Sequence, residues 1–368
     1  MNFSVEERLD KWNSEEANKY IAHNIFLVIY FIIGFVGNLV VLLVYKFRLT
    51  KENESKYFIP ILAFVDLMAC VIRSPFDLWK NLMPVKYTFL LACQIIWFFF
   101  DLFSFLSIFL LGLITFQRYL KVCRPFGSQL TLKPRRICLF VIFILSFSIS
   151  APFVMFDETL EIPNQSLNIT GFICGANVID SDSFLSFILY PAIVIIAVMM
   201  ELVILNSLIA QRMFTVLRNE NKRKAKSSTQ NSTATFYDSN INESEGSTND
   251  TLTNPGDDRT INHAKSTNQS NKPNLTNTRE EKDHTSASRN FSLMIMVISI
   301  AFIISYIIQI AFLFSMVNDR YFWTKQTEAE ASAFRFMDQL VTVNNIVNPF
   351  VYGFFDKKFR HAAKSLFC

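Results

Sequence analysis

IFLVIYFIIGFVGNLVVLLV, residues 25–44, runs for twenty residues without a charge. As a helix rising about 1.5 Å per residue it covers the roughly 30 Å of a bilayer's hydrocarbon. ICLFVIFILSFSISAPFVMF, residues 137–156, passes the same test. Working outward, residues 57–79, 90–119, 184–210, 291–317 and 334–355 are five further spans with few embedded charges. The 368 residues are 51% hydrophobic and include 39 Phe, which excludes a soluble two-domain chain. The expected fold is an all-α membrane protein, a seven-transmembrane helix bundle over residues 24–355.

Lys and Arg orient the bundle. Lys46, Arg48, Lys51 and Lys56 follow span one, and Arg118, Lys121, Arg124, Lys133, Arg135 and Arg136 follow span three, while residues 157–183 contain no basic residue. Basic clusters after span five (Arg212, Arg218, Lys222) and span seven (Lys357, Lys358, Arg360, Lys364) agree. The basic linkers read as cytoplasmic, and residues 1–23 as an extracellular tail on a multi-pass plasma-membrane protein. The first span is too long for a cleaved signal and lacks a small-residue cleavage site, so the tail is expected to stay attached. Residues 211–290, rich in Asn, Ser and Thr, read as a disordered cytoplasmic loop, where glycosylation triplets carry no meaning. Outside, Asn2, Asn164 and Asn168 are candidate glycan sites.

Of six cysteines, the topology places only Cys93 and Cys174 at the oxidising face. Paired, they pin the 157–183 loop as a lid or pocket wall; the alternative is two free thiols. Cys70 and Cys138 read as packing residues. In DKKFRHAAKSLF, residues 356–367, Phe359, Ala362, Ala363 and Leu366 share a face opposite Lys357, Lys358, Arg360 and Lys364. This is expected to be an amphipathic helix on the inner leaflet of the lipid bilayer. Cys368 is either acylated there or unmodified.

Several stretches form an ordered set: GFVGNLVVL (34–42), LAFVDL (62–67), Cys93 followed by QRY (117–119), Pro191 and NPFVY (348–352). With them the chain resembles the rhodopsin-like (class A) G protein-coupled receptors over nearly its whole length. The resemblance implies an extracellular ligand, a heterotrimeric G protein, and arrestin and receptor kinase as further partners. It implies no enzymatic activity, no nucleic acid and no organic cofactor. Gln117, Arg118, Tyr119, Asn348, Pro349 and Tyr352 fall at the family's coupling and activation positions. Asp66, Ser107, Asn344 and Asn348 match its sodium-holding set; the alternative is a hydrogen-bond network without an ion. Departures are Phe143 for the usual Trp, Met199 for a Tyr, and FIISYII (302–308), which puts Ser305, Tyr306 and Ile308 where the family has Cys, Trp and a kinking Pro. Gln117 replaces the acid that restrains the neighbouring arginine, and SRNFS (288–292) offers no second acid. Arg118 is therefore expected to be weakly held, with Glu201 the one alternative restraint.

Ionisable groups at membrane depth are costly, so each is a functional candidate. Arg73 and Asp77 lie seven and eleven residues beyond Asp66, near one helix face, and Asp338, Asn345 and Tyr352 recur every seven residues in span seven. Asp101 lies about two turns beyond Cys93. Arg73, Asp77, Asp101, Gln309 and Asp338 are the pocket candidates, with Trp97 and Tyr306 as aromatic lining; the alternative is mutual pairing, above all Arg73 with Asp77. Phe100 occupies the family's amine-binding aspartate position, which disfavours an amine ligand. Span seven has no Lys for a retinal Schiff base, no repeated halves suggest a transporter or channel, and His23, His263, His284 and His361 fall outside the spans, against a protease. The loop 157–183 carries Asp157, Glu158, Glu161, Asp180 and Asp182, and the tail adds Glu6, Glu7, Asp10, Glu15 and Glu16 against Arg8, Lys11 and Lys19. An acidic mouth steers cations, so a short basic or C-terminally amidated peptide is the expected ligand. The alternative is a lipid or other small molecule.

Overall fold

The computed structural model describes residues 4–49, 57–155, 157–176, 181–241, 275–318 and 327–367. Among these, six helical segments are long and apolar enough to cross a membrane. They belong to α2 (Ile21–Phe47), α3 (Ile59–Leu82), α4 (Leu90–Cys123), α5 (Leu132–Ser150) with its 3-10 extension Ala151–Met155, α6 (Ser181–Ile241) and α7 (Leu275–Asn318). A helix satisfies its backbone internally, which is why apolar runs of this length take that form in hydrocarbon.

The seventh crossing, expected as one helix over 334–355, is two: α8 (Glu328–Asp338) and α9 (Leu340–Phe355). Thr342 donates both its amide (3.0 Å) and its hydroxyl (2.6 Å) to the Gln339 carbonyl, tightening the turn at the break. Thr327 and Glu330 form a capping box at the start of α8, and these bonds hold the Glu330 carboxyl below its ordinary range.

Association of spans depends on close packing rather than on hydrophobic transfer. A Cβ on Gly34 of α2 would lie 2.5 Å from Cys70 Sγ and 2.9 Å from Ile346 Cγ2, so glycine is what lets α2 approach α3 and α9. The core continues through Val41, Leu62, Ile108, Leu202, Met294 and Tyr352. α10 (Lys357–Phe367) forms where the amphipathic helix is expected, and its Phe359 and Ala362 belong to this core.

Two regions carry structure beyond the expected spans, and one expectation needs correction. The 157–183 loop contains an antiparallel hairpin, β1 (Asp157–Asn164) with β2 (Ile169–Ala176), so the molecule is mostly rather than wholly helical. Alternating Leu160, Ile162, Ile169 and Ile173 suit paired strands, and Asn168 closes the turn at φ 49°. The residue 1–23 tail contains α1 (Val5–Asn18), started by a capping box in which Ser4 Oγ accepts from the Glu7 amide (3.2 Å) and Glu7 Oε2 from the Ser4 amide (2.8 Å). This helix rests on the hairpin and on the α3–α4 connection. Arg8 donates to the Leu167 carbonyl (2.8 Å), Asn13 to the Leu82 carbonyl (3.1 Å), and Lys86 pairs with Asp10. Gly171 is required there, because a Cβ would meet the Val85 carbonyl oxygen at 2.8 Å and the Trp12 ring at 2.9 Å.

The expectation to correct concerns 211–290. α6 continues to Ile241 and α7 begins at Leu275, so the described parts are helical where composition suggested disorder. Extending an existing helix adds a hydrogen bond per residue without a new nucleus, which lets polar sequence continue it. Contacts divide the chain into a bundle unit, Met1–Ile209 with Ser288–Cys368, and a second unit, Ala210–Ala287.

Candidate ligand and coupling sites

At the end of the bundle that carries Cys93, a disulfide to Cys174 with a Cα–Cα distance of 5.8 Å ties β2 to α4. Beneath it, Arg73 is 4% exposed and stacks on Trp97 (4.6 Å to the ring centroid) and Phe100 (4.3 Å). It pairs with Asp77 and, through Nη2, with Asp338 Oδ2 at 2.9 Å. Mutual pairing therefore holds for these charges, and it reaches further than two residues. Lys80 Nζ lies 3.3 Å from Asp77 Oδ1, Gln339 donates to Asp77 (2.7 Å) and Gln309 to Asp338 (3.1 Å). Asp101 is half-buried on α4 and within electrostatic reach of Arg73. Thus α3 and α8 meet at one guanidinium, and α7 and the break in span seven join it through the two carboxylates. Lys80 and Gln339 were not anticipated, although one lies three residues beyond Asp77 and the other beside Asp338.

A neighbouring polar cluster corrects the placement of His23, which lies within α2 and is buried rather than outside the spans. Asn81 Nδ2 approaches His23 Nδ1 (2.8 Å) and donates to Asn24 (2.8 Å), while Arg335 reaches the Tyr20 hydroxyl at 3.1 Å. Among the described residues no group of His, Cys, Asp and Glu forms a metal cluster.

Midway along the bundle, Asp66 is fully buried and accepts from Ser107 Oγ (2.8 Å) and Asn348 Nδ2 (2.6 Å). Beside it Ser104, Ser107, Tyr306, Asn344 and Asn345 line a cavity with room for about one water-sized occupant. Tyr306 belongs here, packed 4.4 Å from the Phe302 ring, rather than with Arg73. Ser305 donates to the Asn344 side-chain oxygen at 3.5 Å. The carboxylate, hydroxyl and amide oxygens fit a hard cation, and Asn348 Oδ1 is buried without a partner.

At the opposite end Arg118 is 4% exposed and contacts no acid among the described residues. Its Nη2 donates to the Ser288 carbonyl (2.8 Å) and reaches Ser292 Oγ (3.4 Å), and its guanidinium lies 4.1 Å from the Phe291 ring centroid. The arginine is held by α7 through neutral groups alone, with no acid among the described residues in the place that Gln117 leaves. Its Nε and the buried Gln117 Nε2 have no hydrogen-bond partner. Glu201 does not take the restraining role: its carboxylate lies against Gly112, where a Cβ would stand 3.3 Å from it. Gly112 is six residues before Arg118, about 9 Å along the helix. Tyr119 is half-buried, Pro349 packs 3.1 Å from a Cβ built on Gly37, and Tyr352 is buried 6.2 Å from the Phe359 ring. Of the glycan candidates, Asn168 is exposed and Asn164 accepts from Ser166 (2.7 Å); Asn2 and Cys368 lie outside the described residues.

The chain is similar to mouse (Mus musculus) neuromedin-U receptor 2, 27% identical over 38% of the chain and 33% of the relative. It is similar to human (Homo sapiens) olfactory receptor 8H1, 26% identical over 42% and 49%, and to the Caenorhabditis elegans neuropeptide receptor npr-1, 27% identical over 40% and 33%. The matches thus span a third to a half of these relatives' own length. Squid rhodopsin superposes with a TM-score of 0.62 at 19% identity, over 95% of this chain and 86% of that one, which shows the fold. The family model for the 7 transmembrane receptor (rhodopsin family) matches residues 37–352, and the chain belongs to that family, one of receptors and not of enzymes.

Proposed function

We propose that the chain is a cell-surface receptor that binds a short basic or C-terminally amidated peptide at its disulfide end and activates a heterotrimeric G protein at its Arg118 end. The carrying observation is the Arg73 cluster, in which polar groups from α3, α7 and α8 converge under a tethered hairpin. A relative that is itself named a neuropeptide receptor supports the peptide, and the basic linkers support an extracellular N-terminus. On this reading Asn2, Asn164 and Asn168 carry glycans, Cys368 is available for acylation, and arrestin and a receptor kinase act at the Arg118 end. Asp66, Ser107, Asn344 and Asn348 would hold a sodium ion, whose charge would neutralise the buried carboxylate.

A relative named an olfactory receptor favours the second reading, a lipid or other small-molecule ligand at the same site. The test is guanine-nucleotide exchange on purified heterotrimers by membranes that hold the full chain, with and without pooled synthetic peptides. Exchange above that of Arg118→Ala membranes, raised by a peptide pool, is the expected result. No exchange under any condition refutes coupling, and exchange raised only by small molecules refutes the peptide.

A further inference from the structure

The Arg73 cluster is complete in charge but incomplete in hydrogen bonds. Asp77 and Asp338 are matched by Arg73 and Lys80. Two buried polar atoms at its edges have no partner: Trp97 Nε1, a donor, and Gln309 Oε1, an acceptor. Trp97 lies over the Arg73 guanidinium at 4.6 Å, and Gln309 Nε2 binds Asp338 at 3.1 Å. The Gln309 amide cannot reverse, since its oxygen would then face the Asp338 carboxylate. Asp338, with a side chain 34% exposed, is the cluster's open side.

We infer that this orphaned donor and acceptor are the seat of a primary carboxamide, the C-terminal amide of a peptide ligand. The inference rests on the peptide reading above. A carboxamide presents one carbonyl acceptor and two N–H donors. Its oxygen accepts from Trp97 Nε1 and its N–H groups donate to Gln309 Oε1 and to the free lone pairs of Asp338. A free carboxylate has no donor, so Gln309 Oε1 stays unpaired and a further negative charge joins Asp77, Asp101 and Asp338. An ammonium has no acceptor and meets the positive charges of Arg73 and Lys80. Buried groups left unpaired are what make such sites selective.

One randomised tetrapeptide library, synthesised both as C-terminal amides and as free acids, is presented to the purified full-length receptor, and bound peptides are identified by affinity selection and mass spectrometry. Enriched sequences are expected to bind about tenfold or more tightly as amides, the equivalent of about 1.4 kcal/mol. Trp97→Phe, which keeps the ring over Arg73, and Gln309→Leu should each bring the amide-to-acid ratio towards unity. Thermal melts of both variants verify their folding, and the ratio on the unaltered receptor needs no variant. Equal or tighter binding of the acids, or a ratio unchanged in both variants, overturns the inference and leaves the peptide reading standing. Failure of both libraries to bind overturns the two together.

Discussion

Arg73 and Arg118 are the same cation at the same burial, each 4% exposed, at opposite ends of one bundle. Arg73 has two carboxylates and two aromatic rings for company, while Arg118 has a carbonyl, a distant hydroxyl and one ring. Burying a guanidinium costs several kcal/mol unless charged partners offset it. At the disulfide end they do, and α3, α7 and α8 are joined by the arrangement. At the other end the α4–α7 link consists of neutral acceptors, and Arg118 Nε is left over. One end is therefore a charge-matched platform, and the other a contact that can be exchanged at lower cost.

The largest expected effect tests that contrast directly. Arg73→Met removes the cation that Asp77 and Asp338 share, leaving buried Asp77 to Lys80, and should cost about 3 kcal/mol, with much of the protein lost from the cell surface. Arg118→Met strands no carboxylate and should lower the melting temperature far less. Equal losses in thermal melts would break the comparison. Next, Cys174→Ser releases the hairpin from α4; removing such a bond costs about 2–5 kcal/mol, and its readout is the fraction of receptor reaching the surface.

At the Arg118 end the effects concern signalling rather than folding. Gln117→Glu supplies the missing charge and should strengthen the restraint by about 1 kcal/mol, lowering ligand-independent nucleotide exchange several-fold. Exchange that rises instead would show that Gln117 already restrains the arginine. The smallest effect is expected from Ser292→Ala, since a bond of 3.4 Å contributes at most about 0.5 kcal/mol. Basal exchange should rise about twofold; no change would assign the restraint to the Ser288 carbonyl and Phe291 alone.

These contrasts were only partly legible in the chain. The spacing of Arg73, Asp77 and Asp66 placed them on one helix face, because side-chain direction along a helix follows from its pitch. Pairing of Arg73 with Asp77 is local, four residues apart, and was readable as an alternative. Asp338 is 265 residues away, and although mutual pairing was open to it as well, its choice of Arg73 was not readable. Ser288 escaped notice because a backbone carbonyl has no signature in composition, and His23 because polar residues at Asn24 and Tyr20 hid a helix start that only packing reveals.

By itself, the sequence determined that this chain crosses a membrane repeatedly, which cysteines share a face, and that an arginine ends span three. Each of these depends on run length and local periodicity, since backbone groups in hydrocarbon must find partners within their own helix. Only the tertiary structure decided how span seven breaks at Gln339, how α1 seats on the hairpin, and which acid meets which base. Those outcomes depend on the rotation and depth of helices far apart in the chain, and close packing admits few combinations of them.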